Sequence, residues 1–241
     1  GRGVKEAVLD LFPEAAERVA GEITAAGGEA LALAANVLEV ASLQAAAEQI
    51  RQRWGRVDML INAAGGNKKE ATTSPELSFF DLPPAAMRAV MDLNLLGTIL
   101  PSQVFGREMA AAGQGCIINI SSMNSFRPLT RIVGYSAAKA AINNFTQWLA
   151  VHLAQGGAPN VRVNAIAPGF FETQQNKFLL RNEDGSLSAR GQQIIGHTPA
   201  GRFGEPADLL GTLLWLVSPG ASFVTGIVVP VDGGFSAFSG V

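Results

Sequence analysis

The chain alternates short apolar runs with longer stretches whose apolar residues recur about every 3.6 residues. The first long stretch, "PEAAERVAGEITAAGG", begins with proline and ends with two glycines, as helices commonly do. The short runs fit six strands that end near Asp10, Ala35, Asn62, Ile120, Ala167 and Val231. Strands that alternate with helices build parallel sheets, so the pattern predicts an α/β fold, a doubly wound parallel sheet with helices on both faces.

The length of 241 residues suits one large domain, and no linker or repeat divides it. We therefore expect a single domain over residues 1–241. Long irregular segments follow the strands that end at Asn62 and Ala167, and ligands of open α/β sheets bind at such strand ends. The second segment, residues 168–204, has apolar groups "FLL" and "II" on either side of the turn "NEDGS". It is predicted to be a pair of short helices that closes over substrate as a lid.

Composition argues against several classes of partner. Eighteen basic against twenty acidic residues, with no basic run, predict no binding to nucleic acid. No apolar run approaches the roughly 20 residues of a membrane helix, and no signal peptide is evident, so a soluble, cytoplasmic protein without membrane contact is expected. The single Cys116 argues against a disulfide framework. His152 and His197 lie far apart in sequence, so no metal site is predicted.

The only tyrosine, Tyr135, precedes Lys139 by four residues in an alanine-rich segment that favours helix. Residues four apart share a helix face, so the phenol and the ammonium can reach one neighbourhood. Ser122 stands thirteen residues before Tyr135, at the end of a predicted strand. Taken singly, the three residues fit a turn cap, a half-buried aromatic and a solvated lysine. Taken together, they indicate a catalytic site.

Four further motifs accompany these residues in order: "LINAAG", "MDLNLLG", "NAIAPGFFET" and "VVPVDGG". With them the chain resembles the short-chain dehydrogenase/reductase family over nearly its whole length. The resemblance implies a Rossmann-like oxidoreductase that acts on CH–OH groups with a nicotinamide dinucleotide. The implied catalytic residues are Ser122, Tyr135, Lys139 and Asn94.

The chemistry explains this choice of side chains. Carbonyl reduction needs a proton for the developing alkoxide, and a phenol of pKa about 10 is a poor acid near neutrality. Lys139, together with the oxidised nicotinamide, is expected to lower the pKa of Tyr135. Ser122 is expected to hold the substrate oxygen as a preorganised donor. The resemblance gives Asn94 the role of anchoring a water that connects the lysine to solvent.

Asp10 ends the first predicted strand, where a carboxylate accepts hydrogen bonds from a ribose 2′-hydroxyl and repels a 2′-phosphate. NAD is therefore expected, with NADP left open. For Asn62, a cofactor contact and a structural role remain equally open. In the structural role its side chain forms hydrogen bonds with backbone groups of the turn after the strand. The resemblance implies cofactor contacts from Asp10, Asn36, Val37, Asn62, Ala63, Ala64, Gly65, Tyr135, Lys139, Pro168, Gly169, Phe171 and Thr173.

The family's fold opens with a strand and a glycine-rich turn that receives the pyrophosphate. The start of this sequence, "GRGVKEAVLDLF", aligns with the second strand instead. We expect a Rossmann-like sheet from which that first strand and turn are absent, with backbone groups left unpaired where the strand would lie. The complete fold is expected to need residues outside the given sequence.

Segments of the second half, "SSMNSFRPLT" and "VDGGFSAFSGV" among them, resemble family members that interconvert D-fructuronate and D-mannonate. The expected substrate contacts are Ser122, Asn124, Tyr135 and Gln174. A sugar-acid carboxylate also calls for a cation. The candidates, among which the sequence does not choose, are Lys68, Lys69, Arg127 and Arg131. The alternatives are an enzyme like gluconate 5-dehydrogenase, one like 3-oxoacyl carrier-protein reductase, and a dinucleotide-binding regulator without catalysis.

The resemblance also implies a homotetramer in which two long helices, residues 85–112 and Val133–Gln155, pair across a two-fold axis. The second carries apolar residues around more than one face, so one face is expected to need a partner subunit. Gly97 and Pro101 are predicted to divide or kink the first. The tail, residues 235–241, is expected to pack at a subunit contact.

Overall fold

The computed structural model describes residues 3–173 and 177–240. All six predicted strands are present; four end at the predicted residue and the other two end one residue away. They are β1 (Lys5–Asp10), β2 (Glu29–Ala34), β3 (Met59–Asn62), β4 (Gly115–Ile120), β5 (Val161–Pro168) and β6 (Val228–Val231). Every pairing between them is parallel, as the alternation of strands and helices predicts.

The helices cover the connections between strands. They are α1 (Pro13–Ala25), α2 (Val40–Trp54), α3 (Pro84–Met91), α4 (Gly97–Ala112), α5 (Val133–Gln155), α6 (Lys177–Leu180), α7 (Ala189–Gly196) and α8 (Pro206–Val217). Proline opens α1 and α8, where its fixed φ suits the first helical turn. Gly55 closes α2 with a φ of 91°, which a residue with a Cβ adopts only at a cost.

The strands form two sheets, β1 with β2, and β3–β4–β5–β6 in that order. No strand in the described part of the chain joins β1 to β3. Ile61 of β3 is accordingly 46 % exposed, whereas Ile118 of the neighbouring β4 is fully buried. This matches the expectation of a sheet that lacks one interior strand. One apolar cluster, which includes Leu33, Leu43 and Phe105, packs against strand residues of both sheets.

The core lies on both faces of β4 and β5. Successive strand residues point to opposite faces. Ile117 and Val163 pack towards α4 and α5, whereas Ile118 and Ile166 pack towards Leu216 of α8. Each fully buried aliphatic side chain contributes roughly 1.5–3 kcal/mol. This core fixes the carboxyl ends of the central strands, where the loops named in the sequence begin.

A series of hydrogen bonds between buried polar side chains links α4, β3, β4 and α5. Asn62 Nδ2 donates to Ser102 Oγ and to Asn119 Oδ1, both at 2.9 Å, and Asn119 Nδ2 donates to Thr146 Oγ1 at 2.9 Å. All four residues are at most 5 % exposed. The side chain of Asn62 therefore ties β3 to α4 and β4, which favours the structural interpretation left open by the sequence.

Residues 168–204 contain the two predicted short helices, α6 and α7. They share a small apolar cluster of Leu180, Ile194 and Phe203. The tail contacts the ends of this segment within its own chain, because the ring of Phe235 lies 5.2 Å from that of Phe170 and 6.5 Å from His197. Gln174 and its neighbours Gln175 and Asn176 lie outside the described residues.

Within the described residues, none of the helices is long and apolar enough to cross a membrane. Across residues 3–173 and 177–240, no three His, Cys, Asp or Glu side chains form a group that could hold a metal ion.

Candidate active site

Ser122, Tyr135 and Lys139 come together at the carboxyl end of β4. Ser122 lies two residues after the end of that strand and caps a short 3₁₀ turn, accepting a hydrogen bond from Asn124 N at 3.3 Å. Tyr135 and Lys139 lie one turn apart near the start of α5, and Lys139 Nζ is 5.5 Å from the centre of the Tyr135 ring. The Ser122 hydroxyl lies near enough to the Tyr135 phenol to act on its pKa. The structure thus brings together the three side chains that the sequence singled out.

Lys139 is a buried cation, only 4 % exposed. Its Nζ donates to Ile120 O at 2.7 Å, at the end of β4. Burial lowers the pKa of the ammonium from its ordinary 10.5 to about 8, and no charged group among the described residues offsets that burial. An ammonium has three N–H donors, so two remain for a polar ligand.

The phenol of Tyr135 has a raised pKa in the protein alone. Burial is the main cause, and the hydrogen bond with Ser122 offsets it in part. The sequence predicted the opposite direction, on the ground that Lys139 and a bound oxidised nicotinamide would both favour the phenolate. In the protein alone, burial exceeds the opposing effect of Ser122 on this pKa. The expected lowering therefore depends on what the site binds.

Asn94 occupies a π-helical turn, Asp92–Leu96, between α3 and α4. Such a turn inserts one residue into the helix and is frequent at functional sites. The side chain is fully buried: Nδ2 donates to Gly66 O at 2.7 Å and Val90 O at 2.8 Å, and Oδ1 accepts from Gly66 N at 3.1 Å. Asn94 thereby holds the loop after β3. The role of anchoring a water stays a prediction.

The position of this turn corrects one sequence prediction. Gly97 and Pro101 were expected to divide or kink the long helix. The irregular turn instead precedes Gly97, and Pro101 lies inside α4. Pro101 is the fifth residue of α4, and because proline has no N–H, the carbonyl of Gly97 four residues earlier has no intrahelical donor from it.

The loop after β3 has no space for a side chain at position 65, where the sequence has glycine. A Cβ at this position would lie 2.7 Å from Asn94 Oδ1 and 3.4 Å from Lys139 Nζ. The backbone of this loop therefore passes so close to Lys139 and Asn94 that a side chain at position 65 would collide with Asn94. Ala63 and Ala64 precede it in the same loop, directly after β3.

The remaining predicted cofactor residues lie at the ends of other strands. Asp10 Oδ1 accepts from Phe12 N at 2.9 Å, and Asn36 Oδ1 accepts from Leu38 N at 3.0 Å. Val37 packs on the start of α4, because a Cβ on Gly97 would lie 3.0 Å from Val37 Cγ2.

The turn after β5 is held close to the end of β6. Gly169 N donates to Val231 O at 3.0 Å, and a Cβ on Gly169 would lie 2.6 Å from Asp232 Cα. Pro168 precedes it as the last residue of β5. Phe171 pairs with Gly204, and Thr173 is exposed at the edge of the described segment.

Sequence reasoning missed the residues that fix the Ser122 loop to α5. Ser121 Oγ donates to Asn143 Oδ1 at 2.5 Å, Asn143 Nδ2 donates to Ser125 Oγ at 2.8 Å, and Ser125 Oγ donates to Ser122 O at 2.5 Å. The available signal was the polar pair in "AAINNF", which interrupts an otherwise apolar helix. Polar residues on a buried helix face need partners, and here the partners are serines of the catalytic loop.

The family model described as enoyl-(acyl carrier protein) reductase matches residues 2–236. The chain belongs to the short-chain dehydrogenase/reductase family. It is an oxidoreductase.

Individual short-chain dehydrogenases agree with this assignment. A relative from Bacillus subtilis named uncharacterized oxidoreductase UxuB is 52 % identical, over 99 % of this chain and 88 % of its own. A Haemophilus influenzae structure, provisionally named D-mannonate oxidoreductase and containing bound NAD, is 49 % identical with a TM-score of 0.93, over 99 % of this chain and 88 % of its own. A Burkholderia cenocepacia gluconate 5-dehydrogenase in complex with NADP and tartrate is 29 % identical with a TM-score of 0.81, over 96 % and 85 %.

Proposed function

We propose that the protein interconverts a sugar-acid secondary alcohol and its ketone with NAD, with D-mannonate and D-fructuronate as the pair. The observation that carries the proposal is the buried Lys139, whose ammonium lies 5.5 Å from the centre of the Tyr135 ring, with Ser122 near the same phenol. The name of the Haemophilus influenzae structure, its high identity and its bound NAD support the substrate pair and the cofactor.

The residues present fit a nicotinamide dinucleotide. Lys139 retains two N–H donors suited to ribose hydroxyls, and no side chain at Gly65 covers its ammonium. Asp10 Oδ2 has no hydrogen bond to a described residue, so the carboxylate can accept from an adenosine ribose. The turn Pro168 and Gly169 would lie against the nicotinamide. When bound, the cofactor supplies or accepts the hydride.

The protein side of the reaction is proton transfer at one oxygen. Ser122 and Tyr135 hold the substrate oxygen between their hydroxyls. Tyr135 gives up its proton as charge develops on that oxygen, or takes it in the oxidative direction. Lys139 stabilises the resulting phenolate, and Ile120 O keeps the ammonium in place. Asn94 holds the loop on the other side of the lysine, which stops the site from widening.

Substrate assays decide between this proposal and its alternatives. Purified protein is mixed with NADH and, separately, with D-fructuronate, 5-keto-D-gluconate and a 3-oxoacyl thioester. The proposal expects the highest kcat/KM for D-fructuronate. A higher value for 5-keto-D-gluconate favours the second candidate, which the Burkholderia cenocepacia structure supports. NADH binding without turnover of any substrate would indicate a dinucleotide-binding regulator.

The charge of Asp10 is predicted to set the cofactor preference. Replacing Asp10 by Asn keeps an oxygen for Phe12 N but removes the charge that repels a 2′-phosphate. The ratio of the Kd for NADPH to that for NADH is expected to fall by about tenfold, equivalent to about 1.4 kcal/mol. Fluorescence titration with both nucleotides measures it. Glu6→Gln, a charge removal at an exposed position of the same strand, is the control, and an unchanged ratio in Asp10→Asn would refute the role.

We propose a homotetramer built on α5. Exposed residues of this helix at alternating spacings of four and three form a stripe, as in helix pairs. They are Val133, Ala137, Ala140, Asn144, Gln147 and Val151, and the exposed Trp148 lies beside them. Trp148 and Val151 are each 57 % exposed in the isolated chain, although they are large and apolar.

A charge in that stripe is expected to dissociate the assembly. Val151→Glu would place a carboxylate in an apolar helix contact, which costs several kcal/mol if the contact forms. Light scattering at micromolar concentration should then report a smaller species than for the parent protein. Gln44→Glu adds the same charge at an exposed position of α2, outside the stripe, and should leave the mass unchanged. A monomeric parent protein would refute the tetramer.

A further inference from the structure

One amide on α5 binds the loop that carries Ser122 at two points. Asn143 Oδ1 accepts a hydrogen bond from Ser121 Oγ at 2.5 Å, and Asn143 Nδ2 donates to Ser125 Oγ at 2.8 Å. Ser121 precedes Ser122 directly, and Ser125 ends the 3₁₀ turn that Ser122 caps. The Ser122 loop, residues 121–125, is therefore held to α5 on both sides of the serine.

The direction of these hydrogen bonds follows from the backbone carbonyl of Ser122. A carbonyl only accepts, so the Ser125 hydroxyl must donate to Ser122 O, at 2.5 Å. That hydroxyl has then used its proton and must accept from the Asn143 amide. Asn143 Nδ2 is thereby turned towards Ser125, and Oδ1 is left to accept from Ser121. The hydrogen bonds run in one order, from Ser121 through Asn143 and Ser125 to the backbone of Ser122.

The two ends of the Ser122 loop depend on Asn143 to different degrees. Ser121 has a separate anchor, because its N–H donates to Ile166 O of β5 at 2.8 Å. Within the described residues, Asn143 provides the one hydrogen bond from α5 to the turn Met123–Ser125. Loss of the amide would therefore leave Ser121 in place and free the turn that follows Ser122.

The helix that carries Asn143 also carries the phenol and the ammonium of the site. Tyr135, Lys139 and Asn143 follow one another at intervals of four residues, so they lie on one side of α5. This helix is continuous over 23 residues, which keeps the separations along it constant. Because Asn143 binds the Ser122 loop to the same helix, the serine hydroxyl is positioned relative to Tyr135 as well as relative to β4.

The separation of Ser122 and Tyr135 affects the acidity of the phenol. Burial raises the pKa of Tyr135, and the Ser122 hydroxyl acts in the opposite direction, because a donor stabilises the phenolate. A hydrogen bond weakens steeply when its length or angle departs from the optimum. A small displacement of the Ser122 loop would therefore raise the pKa of Tyr135 further and weaken the hydrogen bond from Ser122 to the substrate oxygen.

We infer that Asn143 is a positioning residue, which holds the Ser122 hydroxyl at the distance from Tyr135 that proton transfer requires. The inference rests on the proposed function, because it concerns the serine and the phenol to which that function assigns the substrate oxygen. The hydrogen bonds of Asn143 go to Ser121 and Ser125, so it acts through the loop and not on the substrate.

Asn143→Ala removes both hydrogen bonds of the amide and keeps the helix, since alanine favours helix. The kcat is expected to fall by about 10-fold to 100-fold, as for a misplaced donor to a developing oxyanion. The Kd for NADH should stay within about threefold, because the lost interaction belongs to the transition state. Ser125→Ala, which removes the donor to Ser122 O, should lower kcat to a similar extent. Ser125→Thr keeps the hydroxyl and should retain kcat within about threefold of the parent value.

Two comparisons separate positioning from a general loss of structure. In a Ser122→Ala protein the hydroxyl is already absent, so adding Asn143→Ala should lower kcat by less than about threefold. Asn164→Ala, in the middle of β5, is the matched control, because that buried amide also donates one hydrogen bond, to Val224 O, and accepts one, from Ile227 N. It should lower the unfolding temperature at least as much as Asn143→Ala and leave kcat within about twofold. Losses that multiply in the double variant, or an equal loss of kcat in Asn164→Ala, would overturn the inference.

Tyr135 is the only tyrosine of the chain, which allows a measurement without substrate or cofactor. Tyrosinate absorbs ultraviolet light at longer wavelength than the neutral phenol, so an alkaline titration reports the pKa of Tyr135 alone. The titration is confined to the pH range in which circular dichroism shows the fold intact. Asn143→Ala and Ser122→Ala should both raise this pKa, and Asn164→Ala should leave it unchanged.

The titration separates this inference from the proposed function. If no sugar acid is turned over but the pKa of Tyr135 rises in Asn143→Ala as it does in Ser122→Ala, the proposed reaction fails and the positioning role stands. If D-fructuronate is reduced while Asn143→Ala keeps both the kcat and the phenol pKa of the parent protein, the positioning role fails and the proposed function stands.

Discussion

Replacing Tyr135 by Phe is expected to lower kcat by about 10³-fold or more while the Kd for NADH stays within about threefold of the parent value. The ring still fills its place beside Lys139, but the only group that delivers a proton to the substrate oxygen is gone. General acid–base catalysis contributes about 10²–10⁴-fold to enzyme rates, and no other phenol exists in the chain to replace it.

The measurement combines single-turnover oxidation of NADH with fluorescence titration of the cofactor. Phe126→Leu alters an exposed ring just beyond the Ser122 loop and should leave kcat within about twofold, which serves as the matched control. A Tyr135→Phe protein that retains more than about a tenth of the parent kcat would show that the proton comes from elsewhere.

Lys139→Met is expected to inactivate the enzyme and to stabilise the fold at pH 7. Folding moves the ammonium into a site where burial lowers its pKa from 10.5 to about 8. At 1.36 kcal/mol for each pH unit, the buried charge costs about 3 kcal/mol below pH 8. Methionine avoids this cost but leaves Ile120 O without a donor, which costs about 1 kcal/mol. The expected net gain at pH 7 is about 2 kcal/mol.

The dependence on pH distinguishes this cause from better packing. Between pH 8 and 10.5 the unfolded chain still holds the proton, whereas the folded chain has released it. The free energy of unfolding of the parent protein should therefore rise with pH over that range. The advantage of Lys139→Met should shrink between pH 7 and 9.5 in urea titrations. Lys69→Met, at an exposed lysine, should show no advantage at either pH. A Lys139→Met protein less stable than its parent at pH 7 would contradict the account.

The sequence predicted the parts of the molecule that depend on local patterns. The period of the apolar residues and the positions of turn residues located all six strands. The four-residue spacing of Tyr135 and Lys139 predicted that both lie on one helix face. Ser122 was identified because serine at the end of a strand, in this order with the other motifs, is typical of the family. These features need no knowledge of which distant segments come into contact.

Other features depend on contacts that no local pattern encodes. The π-helical turn around Asn94 arises because that side chain bonds Gly66, 28 residues earlier. The raised pKa of Tyr135 reflects burial in the folded protein, whereas the sequence pattern shows only the neighbouring charge. The contact between Arg131 and Thr73 could not be predicted either, because it joins segments 58 residues apart.

The polar chain from Ser102 through Asn62 and Asn119 to Thr146 has a consequence for how the sheet assembles. Asn62 and Asn119 occupy paired positions of β3 and β4. If the pairing of β3 with β4 slipped by one residue, one of the two amides would point to the opposite, apolar face of the sheet. Several buried polar atoms would then lack hydrogen bonds, at a cost of about 1–3 kcal/mol each. Misaligned sheets are therefore disfavoured while the protein folds. The loops that carry Gly65 and Ser122 follow these two strands. The hydrogen bond between the two amides therefore fixes the position of one loop relative to the other before any ligand binds.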